Sequence, residues 1–184
     1  MCSLWLCVKL TMLFFARHLP ELSIFHYQLS INKMTTFKDF SELKAAIGTE
    51  LGPTPYTDIT QEMINTFAAS TLDMQWIHTD PEQAAAGPFK TPIAHGFLVL
   101  SLASHFAKDL FSVEGTKMGI NYGLNKVRFT GVVPVGSRVR LKGILKSVED
   151  YGKNGVKIEI DGVMELEGST KPVVVLEWIV LQFN

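Results

Sequence analysis

The chain has 184 residues, 47% of them apolar, which suits one domain with a sizeable core. Lys and Arg number 17 against 18 Asp and Glu, a formal net charge of −1, so nothing in that balance calls for DNA, RNA or an anionic membrane. The only cysteines are Cys2 and Cys7. That excludes a disulfide framework and a thiolate zinc site, and it fits a reducing, cytoplasmic setting.

Residues 1–33 differ in composition from residues 34–184. Lys9 and Arg17 interrupt their apolar runs, and neither run approaches the roughly 20 residues of a membrane span. A signal peptide would carry positive charge ahead of its apolar stretch, whereas here the start is uncharged and Lys9 lies inside it. Residues 1–33 are therefore expected to be an extension outside the fold, and 34–184 the working domain.

Phe37, Phe40, Leu43 and Ile47 have helical spacing, closed by Gly48 and Gly52-Pro53. Asp58 and Gln61 read as a capping box for a second helix that ends near Ser70 or Thr71, with Ile59, Met63, Ile64, Phe67 and Ala68 as its apolar face. A polar loop follows through Asp73, Gln75, His78, Asp80 and Pro81. The stretch from Ile93 to Leu110 is apolar nearly all round, the mark of a buried central helix, with His105 as a structural residue deep within it. Residues 127–135, 138–148, 156–167 and 173–183 read as strands, and Asn154-Gly155 as a hairpin turn. A further strand is a guess around 52–57. Helices followed by a run of antiparallel strands give an α+β fold, with a long sheet curled around one apolar helix.

The chemistry concentrates in Asp73-Met74-Gln75-Trp76-Ile77-His78 and in Ala94-His95-Gly96. Asp73 and His78 are five apart, which on one helix would separate them by about 140°. In a loop they can converge, and a carboxylate and an imidazole that share one water can hold it and move its protons. Gly96 opens the apolar helix, where the first N–H groups lack internal acceptors and a ligand can come close. Such a turn can stabilise the enolate of a thioester. His95 reads as a residue that caps or packs.

These stretches resemble the hydratase motif of the MaoC-like family, the (R)-specific enoyl-CoA hydratases. The Asp-x-Gln-Trp-Ile-His-x-Asp form resembles its nodulation-protein-N-like subgroup. Asn121-Tyr122-Gly123-Leu124-Asn125-Lys126-Val127-Arg128-Phe129 and Val133-Pro134-Val135-Gly136-Ser137 are also similar to this family, so the resemblance runs from about Phe37 to Trp178. It implies a hot-dog fold, a long helix wrapped by an antiparallel sheet, usually as a homodimer. It further implies Asp73 and His78 as the catalytic pair, Gly96 as the residue whose N–H faces the thioester oxygen, and Ser104 as a serine that shapes the site. The implied reaction is hydration of a trans-2-enoyl-CoA to an (R)-3-hydroxyacyl-CoA, with no metal or other cofactor.

Two positions depart from the family pattern. Gln75-Trp76 replaces a common Asn-Pro, and Leu72 stands where a glycine usually precedes the Asp. If that position has positive φ, Leu costs about 1–2 kcal/mol there. The alternatives are a hot-dog acyl-CoA thioesterase and a non-catalytic acyl-thioester-binding subunit. Lys126, Arg128, Arg138, Arg140, Lys142 and Lys146 are the one basic concentration. It reads equally as a receptor for CoA phosphates and as a solvated strand face. Which of Met74, Trp76, Leu98 and Leu102 line an acyl pocket is not legible.

Overall fold

The computed structural model describes residues 34–184. The expectation for residues 1–33 lies outside the described residues. A side-chain cap fixes the first helix: Asp39 accepts from the Glu42 N–H, and α1 spans Phe40–Ala45 with Leu43 buried. Phe37 is not part of this helix. It belongs to β1 (Thr35–Phe37), which pairs in parallel with β4 (Phe111–Val113).

The next segment follows the edge of β6 (Arg138–Tyr151) in two short pieces, β2 (Glu50–Leu51) and β3 (Thr57–Asp58). Gly52-Pro53 separates them, and Pro53 has no N–H for a ladder. Thr54 carries the pairing between the two pieces. It is fully buried, its N–H donates to Leu141 O, and its Oγ1 accepts the Leu141 N–H at 3.0 Å. The expected strand at 52–57 is thus a discontinuous edge.

α2 spans Gln61–Thr71 and is capped by Thr60, whose hydroxyl accepts from Met63 N–H. Asp58 is not the cap, because it pairs with Arg138 in β3. α2 ends in Leu72, which takes the left-handed conformation at φ 63° and ψ 16°. α3 (Trp76–Thr79) and α4 (Pro81–Ala86) follow, the latter with Asp80 as its cap and Pro81 at its first turn. Gly87 closes α4 against the Trp76 ring, where an added Cβ would meet Cζ3 at 2.8 Å. α5 spans Gly96–Leu110, so Ile93 and Ala94 lie before the helix. Their N–H groups bond Ile77 O and Val133 O.

The main sheet has the order β2-β6-β7-β8-β5 and is antiparallel, with β7 at Gly155–Leu166, β8 at Pro172–Phe183 and β5 at Met118–Phe129. β6 alternates as a half-buried strand must: Val139, Leu141 and Leu145 point inward, and Arg138, Lys142 and Ile144 outward. Val99, Ala103, Phe106 and Leu110 of α5 join the core built by these inward residues. Each such Leu, Ile or Phe contributes about 1.5–3 kcal/mol by burial. The helix is buried on this face alone. Phe97 is 67% exposed, and His105 is exposed as well, lying 3.4 Å from Thr57 Oγ1, which corrects the reading of His105 as a deep core residue.

Five of the six residues in the basic concentration are paired with carboxylates, and Arg128 instead donates to Val127 O. Arg138 pairs with Glu167, Arg140 and Lys142 share Glu165, Lys146 lies between Asp161 and Glu177, and Lys126 also reaches Glu177. This is a solvated strand face with cross-strand pairs. Among the described residues, no helix is long and apolar enough to cross a membrane.

Candidate active site

His78 stands on the one-turn helix α3, and two neighbours fix its ring. Its Nδ1 lies 2.6 Å from Ile93 O. A carbonyl can only accept, so Nδ1 carries the proton and Nε2 keeps its lone pair. The ring is 7% exposed. Burial lowers its pKa from 6.5. The Ile93 bond opposes that shift, the neighbouring His95 adds to it, and Asp73 opposes it. The lowered pKa favours the neutral ring, which suits a base.

Asp73 lies in the loop between α2 and α3. Its side chain is 57% exposed, and a carboxylate oxygen lies within 4.8 Å of a ring nitrogen of His78. That spacing accommodates one water bonded to both groups. The five-residue separation works because the two residues lie on different elements. Leu72 turns the chain between α2 and Asp73 in the left-handed region, at a cost of about 1–2 kcal/mol. The glycine position that the resemblance pointed to is thus a genuine positive-φ site. Leu72 is 85% exposed, so no burial offsets its backbone strain.

A cavity of about 460 Å³ opens beside His78. Gly96 lines it, and Phe97, Phe129, Val133 and Val174 make apolar wall. The volume is ordinary for a small-molecule site. None of Met74, Trp76, Leu98 and Leu102 lines this cavity. An added Cβ at 96 would lie 2.9 Å from the Phe129 ring, so a larger residue there makes the ring or the first turn of α5 shift. As the first residue of α5, Gly96 also has an N–H with no intrahelical acceptor.

Ser104 does not share this cavity. Eight residues along a helix is about 12 Å. There Ser104 is exposed, accepts from Asn121 Nδ2 at 3.3 Å, and lines a separate cavity of about 570 Å³. Asn121 in turn accepts from Trp178 Nε1 at 2.6 Å.

The residue that sequence reading undervalues is His95. It precedes α5 but makes no side-chain cap. Its ring stacks on His78 at 3.7 Å between centroids with a 26° tilt, and Nε2 lies 3.0 Å from Asp73 O and 4.0 Å from Asp73 Oδ2. Nothing in local periodicity announces these contacts, which span 17 and 22 residues. Donor atoms of Asp73, His78 and His95 all fall within 4.8 Å of one another, close enough to raise the question of a metal. A ligating imidazole must hold the ion in its ring plane, and two nearly parallel stacked rings do not aim at one point. Within the cluster one hydrogen bond joins His95 to Asp73 O, while His78 bonds Ile93 O outside it.

The MaoC like domain matches residues 42–165. Over 147 residues the chain is 51% identical to 3-hydroxyacyl-thioester dehydratase Z of Mycobacterium tuberculosis, covering 80% of this chain and 97% of that protein. It is 40% identical over 148 residues to Nodulation protein N of Rhizobium meliloti, covering 78% of this chain and 91% of that protein. Among solved structures, an unliganded (R)-hydratase of Pseudomonas aeruginosa superposes with a TM-score of 0.59 at 26% identity, covering 77% of this chain and 83% of that one. The α+β architecture, with α5 packed on the antiparallel sheet, is the hot-dog fold.

Proposed function

Because the chain belongs to the MaoC-like dehydratase family, we propose that it adds water to a trans-2-enoyl-CoA to give an (R)-3-hydroxyacyl-CoA, and runs the reverse reaction. One observation carries this reading. An Asp73 carboxylate oxygen lies within 4.8 Å of a ring nitrogen of His78, a span that one bridging water fits, and His78 lines the same cavity as Gly96. In the proposed step the pair takes a proton from that water. Its oxygen bonds to the β carbon, and the π electrons move onto the thioester as an enolate. The Gly96 N–H stabilises the enolate oxygen. The pair returns a proton to the α carbon, so the net change is H and OH added across one double bond. The test is hydration of crotonyl-CoA by the full chain, followed as loss of the conjugated absorbance, with the product resolved by chirality. Release of free CoA without hydration product would instead support the thioesterase. Tight binding without turnover would support a non-catalytic subunit.

The proposed base also sets a pH profile. Because the pKa of His78 is lowered, the acid limb of kcat/KM is expected to have its midpoint below pH 6.5. Stability follows the same sign. As pH drops from 6.5 towards the folded value, the unfolded chain binds a proton that the folded chain refuses, so stability declines over that window. An acid limb with its midpoint above 6.5 contradicts the assignment of His78 as the base.

The reading includes a homodimer. β5 pairs with β8 alone among the described strands, and Met118, Ile120, Tyr122 and Leu124 stand exposed along it. A twelve-residue open edge of apolar character favours a second chain. Ser104 bonds Asn121 on this same strand, so any part it takes in a site runs through that interface. The chain is expected to sediment at twice its 20.5 kDa, and Leu124→Asp at the monomer mass. A wild-type monomer at micromolar concentration sinks the dimer.

A further inference from the structure

Asp73 is the less anchored half of the pair. Its carboxylate receives no hydrogen bond from any described residue, and the residue before it sits in a strained backbone conformation. Something must nevertheless hold it at the right distance from His78. Thr79 Oγ1 donates to the next carbonyl, Met74 O, at 3.2 Å, and the contact to Asp73 itself comes from His95, whose Nε2 lies 3.0 Å from the Asp73 carbonyl. Because a carbonyl accepts, Nε2 carries the proton and donates.

His95 is well placed to serve as a fixed point. It is 3% exposed. One face of its ring stacks on His78, and Phe67 of α2 lies 5.1 Å away at a 50° tilt. One imidazole thus touches the helix before the loop, the loop carbonyl and the catalytic imidazole. Among the described residues its Nδ1 is buried without a partner, a cost that packing alone would not select, since a carbon ring fills the same space without it. The donor at Nε2 is what a carbon ring lacks.

We propose that His95 is a positioning residue. By donating to the Asp73 carbonyl while stacked on His78, it sets the separation of the carboxylate and the imidazole. The kinetic part of this proposal rests on the hydratase reading. The structural part does not.

The test uses the full chain with His95→Phe, which keeps a flat ring and loses the donor, and His95→Gln, which keeps a donor on a similar reach. Crotonyl-CoA hydration is measured for kcat and KM, and hydrogen exchange is measured for the peptide spanning residues 72–75. His95→Phe is expected to lower kcat by about 100-fold with KM within about threefold, the size of effect a misplacement near 1 Å produces. Exchange of the loop should speed up by about tenfold or more, as its local opening becomes easier. His95→Gln should stay within about tenfold of wild-type kcat and keep the loop protected, because the donor persists. Should His95→Phe fail to fold, His95→Met gives the same contrast. Wild-type kcat and wild-type loop exchange in the donor-less variant overturn the proposal and leave His95 as packing. So does an equal loss of kcat in both variants with loop exchange unchanged, because the residue would then act on the reacting atoms directly. If the wild type itself turns nothing over, the hydratase reading fails, and the loop exchange of the two variants still decides whether His95 positions Asp73.

Discussion

Asp73→Asn and His78→Asn each lower kcat for crotonyl-CoA hydration by about 10²–10⁴-fold, the range set by removing a positioned acid or base. Asn at 73 keeps the shape of the side chain and loses its capacity to take a proton. Because Asp73 is largely exposed, the fold should not notice the change. His78→Asn is less innocent. The buried ring donates to the Ile93 carbonyl, so losing it costs about 1–3 kcal/mol of stability unless the new amide reaches that oxygen. Urea unfolding measured beside the kinetics separates this loss from the catalytic one. KM should change little in Asp73→Asn, since Asp73 does not line the cavity, and more in His78→Asn, since His78 does. The double variant is the sharper experiment. If both groups act on one water, removing the second after the first costs almost nothing more, and the two defects fail to multiply. Multiplying defects would mean that Asp73 and His78 serve different steps.

How much of this is legible in the sequence varies with the physical source of each feature. β6 and β7 can be read to within three residues because inward Val, Leu and Ile alternate with charged residues along them, and β8 because it is a run dominated by Val, Leu and Ile. The first nine residues of β5 escape such a reading, which places the strand at 127–135, although Met118, Ile120, Tyr122 and Leu124 also alternate. Gly119, Asn121 and Gly123 between them have low strand propensity, and the strand is irregular at Tyr122 and Asn125. The start of α2 is misplaced by two residues because Asp58 and Thr60 are both good caps, and only the tertiary pairing of Asp58 with Arg138 decides between them. Local chemistry points to Asp73, His78 and Gly96, and the positive φ at Leu72 follows from the resemblance. The placement of His95 is not legible. Its role depends on ring stacking and a carbonyl contact between segments far apart in the chain, which leave no periodic trace.

Gly96→Ala is expected to lower kcat/KM by about 10²–10³-fold, the effect of displacing one oxyanion donor. The cause is steric. The new Cβ would lie 2.9 Å from Cδ1 of Phe129 and 3.1 Å from two further ring atoms. Either the first turn of α5 or the Phe129 ring must shift, and both border the cavity. Phe129 is itself partly exposed and packs edge-on against Phe97 at 5.4 Å, so its ring can yield at moderate cost and the chain still folds. What suffers is the placement of an N–H relative to the substrate carbonyl. A compensating change distinguishes this from a general loss of stability. Phe129→Leu in the Gly96→Ala background restores the space, and it should recover at least about tenfold of the lost kcat/KM if the two side chains clash directly, as coupling between touching residues predicts. Absence of any recovery, with both proteins folded, would mean that the Gly96 N–H is misplaced by the backbone preference of alanine at the start of the helix and not by the aromatic ring behind it.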